Sequence, residues 1–164
     1  ALQALGINGS IENPYWNKTK GEMISECLNI TLLGELLSSS LSCSSPTKGR
    51  WHGVGTQHCG YCLPCIIRRS AILASPLQDT TSYAINDLSS RTLDSQQAEG
   101  KEIRSFRIAI NRLNQNPELP NMLIHKPGPL FDEPIERQGV IADVYKRGLN
   151  EVANLIRNIR TNQK

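Results

Sequence analysis

Aromatic residues are scarce. Of the 164 residues, 5% are aromatic: 2 Trp, 4 Tyr and 2 Phe. A core here must be aliphatic, and hydrophobic residues reach only 38%. That is low for one compact domain, so part of the chain is expected to lean on something outside it. No stretch approaches the roughly 20 apolar residues that cross a bilayer, and a membrane partner is not expected. No charged segment followed by an apolar one opens the chain, so no secretory signal is read and a cytoplasmic location is expected. Excess charge is also lacking. The net charge is +3, too small to favour nucleic acid as a partner. Residues 1–100 hold seven Lys/Arg against eight Asp/Glu, and residues 101–164 hold eleven against seven. The second part is mildly basic, as a solvated helical surface would be. The first residue is Ala1 rather than Met, and the opening reads like the end of a helix entering a loop. The natural chain is therefore expected to begin earlier, with this chain as its C-terminal part.

Three stretches follow from the patterning. Residues 1–42 read as loop, short extended piece and helix. Ile11–Tyr15 is expected to be extended. Thr19-Lys20-Gly21-Glu22 has the form of a capping box, opening a helix from Lys20 to about Leu28. Leu32, Leu33, Leu36 and Leu37 make a second short helical turn. Residues 43–75 hold most of the cysteines, with a helix over Ile66–Ala74 stopped by Ser75-Pro76. Residues 76–164 form a helical C-terminal extension. Ile103, Phe106, Ile110 and Leu113 share one face of a helix at about 100–115. A joint with Pro117, Pro120, Pro127 and Pro129 follows. The apolar stripe Ile141, Val144, Tyr145, Leu149, Val152, Leu155, Ile156 and Ile159 then predicts a helix at about 136–160. Its apolar surplus over the 100–115 helix is expected to pack on a missing domain or a partner. Asp132, Glu133 and Glu136 precede that helix and suit the positive end of its dipole.

Five cysteines are present. Cys43 is followed after fifteen residues by Cys59-Gly60-Tyr61-Cys62-Leu63-Pro64-Cys65. Cys-x-x-Cys turns bring thiolates onto one cation and would strain disulfide pairing. Gly60 sits where a tight knuckle needs positive φ. Cys43, Cys59, Cys62 and Cys65 are the expected ligands of one zinc ion, a closed structural site. Cys27 is left over as a buried free thiol. His52 or His58 can replace a ligand, but His58 is expected behind the ligands or at the surface. An iron–sulfur cluster is the first rival. Its ferredoxin form places another cysteine three residues on, where this chain has Ile66-Ile67-Arg68-Arg69. Four unliganded thiols are the plain alternative.

The run Ser42-Cys43 … Cys59-Gly60-x-Cys62-x-x-Cys65-x-x-Arg68-Arg69-x-Ala71 resembles the C-terminal zinc segment of the 7-cyano-7-deazaguanine synthases of queuosine biosynthesis. Upstream, Asn13-Pro14 … Thr19-Lys20-Gly21-Glu22-Met23-Ile24 resembles that family's Pro…Thr-Lys-Ala-Glu-Ile segment. The resemblance covers about residues 1–75. The long tail, with Lys126-Pro127-Gly128-Pro129-Leu130, is similar to family members of the Qat anti-phage defence type. The resemblance implies an α/β parent of the adenine-nucleotide α-hydrolase type, in which this chain is the mostly α C-terminal part with a zinc-binding loop and a helical tail. It implies zinc here and ATP in the parent, which adenylates a carboxylate for attack by an amine, giving an amide and then a nitrile. The implied partners are the missing N-terminal ATP-binding domain and a protein of a defence operon. The family's Ser-Gly-Gly-x-Asp-Ser signature is not in this chain, so no ATP turnover is expected from it alone. The loop after Cys43 is longer than the family's and carries Trp51 and His52, so the substrate side is expected to differ.

On this footing Lys20, at a helix start, can contact phosphate or an acyl-adenylate, or simply sit at the surface. Arg68 can hold a substrate carboxylate with two hydrogen bonds, or serve a salt bridge or the sulfurs. Arg69 is expected to be solvated. Trp16 and Trp51 suit either base stacking or core anchoring. The reading from another class is a stand-alone zinc module binding nucleic acid or protein.

Overall fold

A short polar segment ends at Thr19, and from there the chain is helical wherever its apolar spacing allows. The computed structural model describes residues 3–9, 12–47 and 55–162; Trp51, His52 and Ile11 lie outside these. Helices run over α1 Lys20–Ser25, α2 Ile30–Leu37, α3 Leu63–Leu73, α4 Ala98–Gln115, α5 Leu119–Leu123 and α6 Ile135–Ile156, after a single 3-10 turn at Gln3–Leu5. Two two-residue strands, β1 Leu93–Asp94 and β2 Thr161–Asn162, pair in parallel.

The capping box forms as the spacing predicts. The Glu22 amide donates to Thr19 Oγ1 and the Thr19 amide to the Glu22 carboxylate. This helix stops earlier than expected, because Asn29 caps a new one: its Oδ1 accepts from the Leu32 amide at 3.0 Å. The extended piece expected before it is instead a turn. Asn13 Oδ1 accepts from the Tyr15 amide at 3.0 Å, a bend that asparagine favours. Within the proline-rich joint, Pro120 lies in the first turn of α5, where its missing N–H costs nothing.

The core joins the cysteine segment to the tail. Ile66 of α3 packs with Leu88, Leu93 of β1, Ile103 of α4, and Val152, Ile156 and Ile159 from the end of the chain. Phe106, Ile110 and Leu155 cover its edge. The last helix ends at Ile156, short of the expected 160. The chain then turns so that the Arg160 carbonyl accepts from the Leu93 amide at 2.9 Å, and Arg107 donates to the Ile159 carbonyl and the Thr161 hydroxyl. Ile159 thus stays buried outside the helix. Both strands are too short for any alternation to reveal them.

Helix α6 lies against α3, α4 and α5 and touches α1. Its C-terminal stripe is covered by this chain itself. Exposed apolar side chains among the described residues include Leu28, Leu32, Leu36, Leu63 and Leu73 of the α1–α3 side, and Met122, Phe131 and Ile135 near the joint. Among the described residues, no helix is long and apolar enough to cross a membrane.

Polar contacts fasten α6 to the start of α1. Glu151 accepts from the Thr19 hydroxyl. Arg147 donates to Glu22 at 2.6 and 3.2 Å and to the Asn17 carbonyl at 2.8 Å, and also meets Asp143. Trp16 lies under the Arg137 guanidinium, 4.3 Å from the ring centre. Gly21 makes room for this, since a Cβ there would come within 2.5 Å of Glu151 Oε1. The hydrogen bond from Arg147 is the main cause holding the Glu22 carboxyl below its usual value. A depressed carboxyl stabilises the fold above its unfolded pKa, and that contribution is lost as pH falls through the folded value. Arg147→Ala should therefore cost about 1–2 kcal/mol at neutral pH and less in acid. Urea unfolding across that range would measure it. An equal loss at both pH values would remove Glu22 from the account.

Candidate metal centre

Four sulfurs converge where the Cys43 loop meets the N-terminus of α3. Those of Cys43, Cys59, Cys62 and Cys65 all lie within 4.8 Å of one another. The Cys43–Cys62 and Cys59–Cys65 pairs are each 3.9 Å apart. Disulfide sulfurs are about 2.05 Å apart, and all five cysteines are free thiols. One tetrahedral ion about 2.3 Å from each sulfur spaces them about 3.8 Å apart. The donor set therefore fits a single metal ion. A [4Fe–4S] cluster spreads the four thiolates over four irons and a [2Fe–2S] cluster over two, so neither draws all four sulfurs onto one ion.

Local structure explains the convergence. Gly60 has φ +89°, the left-handed turn expected of it. Helix α3 starts at Leu63, two residues before Cys65, with Pro64 in its first turn, where proline suits a helix start. Backbone amides point at sulfur: Ser45 and Cys59 to Cys43, each at 3.4 Å, and Cys62 to Cys59 at 3.3 Å. Such donors stabilise thiolates. Within the buried pair, a hydrogen bond from Cys65 chiefly holds Cys59 down to about 4, and the same contact pushes Cys65 up. Burial raises Cys43. A cation placed among them would draw the remaining protons off.

His58 is buried behind the ligands. Its Nδ1 is 3.7 Å from Cys65 Sγ and its Nε2 is 3.0 Å from the Ser40 carbonyl. Arg69, expected in solvent, is 9% exposed. Its Nη1 donates to the Asn86 carbonyl at 2.8 Å, its Nη2 donates to that of Ile85, and its guanidinium lies 3.7 Å from the centre of the Tyr83 ring. Burial pushes the Tyr83 phenol up to about 12. Segment 83–86 is laid on the knuckle by these contacts and by backbone bonds from Ala84 and Ile85 to His58 and Cys59. Nothing in the Cys spacing signals this cover. The buried arginine is its hidden element. A Cβ on Gly60 would stand 2.7 Å from the Ile85 carbonyl and 2.8 Å from Arg69 Nη2. Gly60→Ala is expected to cost about 2 kcal/mol through positive φ and to speed metal loss to a chelator. A variant as stable as wild type would remove that strain from the account.

The other site candidates share a second place along α3. Lys20 and Arg68 border one apolar cavity of about 770 Å³ between α1, α2 and α3. Lys20 is exposed. Arg68 donates to Thr81, Ser40 and the Leu37 carbonyl, which ties the segment leading to Cys43 onto α3. Cys27 is half-buried in the wall of the same cavity rather than enclosed in a core.

Two comparisons bear on origin. Over 82 residues the chain is 35% identical to 7-cyano-7-deazaguanine synthase of Rickettsia rickettsii, strain Sheila Smith, and matches the strain Iowa protein equally. This chain is a partial relative of 7-cyano-7-deazaguanine synthase. The aligned stretch is 48% of this chain and 32% of the relative, so the chain spans about a third of the length of the synthases it matches. No family model matches the chain, and no solved structure does. The resemblance to the synthases read from the cysteine and capping-box motifs agrees with this relation.

Proposed function

We propose that this chain is the zinc-bearing C-terminal part of a synthase-like, ATP-dependent protein of the cytoplasm. The observation that carries the reading is the four-sulfur cluster in a chain partly related to 7-cyano-7-deazaguanine synthase. Cys43, Cys59, Cys62 and Cys65 hold the ion. With four thiolates in place no position is open for water, so zinc supplies cohesion rather than chemistry. It fixes α3, and through Ile66 the common core.

In this reading the parent has the adenine-nucleotide α-hydrolase-like α/β fold, adenylates a carboxylate with ATP and passes it to an amine. Amide and nitrile formation on a 7-deazaguanine is the reaction of the biosynthetic type. The long tail favours a Qat-type defence relative, whose acceptor is a partner protein. Lys20, unpaired among the described residues, reaches a phosphate or acyl-adenylate from the cavity rim. Arg68 acts through the Ser40–Cys43 segment it fastens. The apolar wall of that cavity is the face on which the ATP-binding domain rests.

Metal analysis of the purified chain tests the first half of this reading. About one zinc per chain is expected, colourless and removable only with loss of structure. A coloured, iron-bearing preparation would replace zinc with iron. The second half is tested in the intact protein by carboxylate-dependent exchange of pyrophosphate into ATP. Lys20→Ala should slow that exchange and leave the zinc content unchanged. Absence of exchange with a carboxylated 7-deazaguanine would remove the biosynthetic substrate.

A further inference from the structure

Helices α4, α5 and α6 enclose a second cleft, of about 560 Å³, remote in sequence from the cysteines. Its floor is aliphatic, from Leu119 and Leu123, and its rim carries Arg112, Lys126, Gln115 and Tyr145. Two full cations border it, and none of the residues lining it is acidic. Neither cation is in an ion pair, and neither side chain has a hydrogen-bond partner among the described residues. The Tyr145 hydroxyl and the Gln115 amide are likewise unpartnered. Arg112 stands in the last turn of α4, where a cation complements the helix dipole. That accounts for Arg112 alone. Lys126 comes from beyond α5, fourteen residues later, and only the fold brings it to the same rim.

Like charges gathered without an acid repel one another, and a bound anion relieves that repulsion. A phosphate monoester carries about −1.5 to −2 at neutral pH, which matches two cations. A carboxylate would leave one unmatched. An arginine fork and a lysine lining the same cleft both suit phosphate oxygens, and a phenol can donate to a third. The aliphatic floor and the Tyr145 ring offer a surface to an apolar or flat body. The cleft's volume falls in the range that holds small ligands, about 300–1,000 Å³. We propose that the α4–α5–α6 cleft binds a small phosphate monoester, its phosphate between Arg112 and Lys126 and its organic part over Leu119 and Leu123. This is independent of the metal centre and of the synthase reading.

The probe is phenyl phosphate, titrated calorimetrically into the metal-loaded full chain. Saturable binding is expected, weaker for inorganic phosphate. R112Q and K126Q should each weaken phenyl phosphate binding about tenfold, the scale of one charge-assisted contact. Tyr145→Phe should lower it less, and Lys101→Gln, on the same helix outside the cleft, should leave it unchanged. Unaltered metal content and melting temperature would certify that the variants are folded. The proposal is overturned by lack of saturable binding, by R112Q and K126Q that bind like wild type, or by Lys101→Gln weakening binding as much as they do. Inorganic phosphate binding as tightly as phenyl phosphate would overturn the assigned place of the organic part.

Discussion

Replacing any one of Cys43, Cys59, Cys62 or Cys65 by serine should release the metal and melt the segment from Cys43 through α3. A serine hydroxyl stays protonated where a thiolate must bind, so three ligands remain around an ion that needs four. The expected effect is large because metal binding at a closed four-thiolate site is folding free energy. Apparent values for structural zinc are about 10–16 kcal/mol, against about 5–15 kcal/mol for the whole stability of a typical domain. Loss would not stay local. Cys65 and Ile66 are adjacent and both 0% exposed, and Ile66 shares its core with Leu93, Ile103, Val152 and Ile156. Unfolding α3 therefore opens the face on which α6 rests. Cys27→Ser is the control, because Cys27 lies in the wall of the α1–α2–α3 cavity and is not one of the four clustered cysteines. Metal content by atomic emission and helicity by circular dichroism would read both effects. If Cys27→Ser lost the metal while Cys43→Ser kept it, the fourth ligand assigned here would be wrong.

The four-cysteine cluster was legible in the sequence because its geometry is local. Three of its cysteines lie within seven residues, and Gly60 marks the turn between two of them. The capping box was legible for the same reason: Thr19 and Glu22 are three residues apart and satisfy each other's backbone groups. Helices α4 and α6 could be read from 3.6-residue periodicity, because each buries one stripe. What could not be read depends on partners distant in the chain. Ile159 is buried by a strand pair only two residues long, and no spacing rule reports a contact between residues 93 and 161. The helix over Ile66–Ala74 is legible too, but no spacing rule says that its apolar face covers α6. Residue type alone puts Arg69 in solvent, and its acceptors are carbonyls that no sequence pattern marks. The Thr19–Glu151 and Glu22–Arg147 contacts are hidden in the same way, since each partner alone has an ordinary local role.

Arg69→Met should be the most damaging change outside the cysteines, at about 3–5 kcal/mol. The guanidinium does two things that a methionine cannot. It donates to the Ile85 and Asn86 carbonyls, and it covers the Tyr83 ring face. Without it, two carbonyls lose charged donors, each hydrogen bond of this kind contributing about 1.5–3 kcal/mol. The loss of the cation over the ring adds about 0.5–2 kcal/mol, depending on how well the pair is desolvated. Volume is nearly kept, so a cavity is not the main term. Arg69→Lys retains the charge but presents a single ammonium where two carbonyls diverge, and about half of the loss is expected. The consequence for the metal centre is kinetic. Residues 83–86 lie over Cys59 through the amides of Ala84 and Ile85, which donate to the His58 and Cys59 carbonyls at 2.8 and 3.3 Å. With their own anchor gone, those bonds open more often, and a chelator reaches the ion sooner. Urea unfolding of the metal-loaded protein would give the stability, and metal transfer to a chromogenic chelator would give the rate. A destabilisation within about 0.5 kcal/mol, the scale of ordinary surface substitutions, together with an unchanged transfer rate, would return Arg69 to the solvent-facing role its residue type suggests.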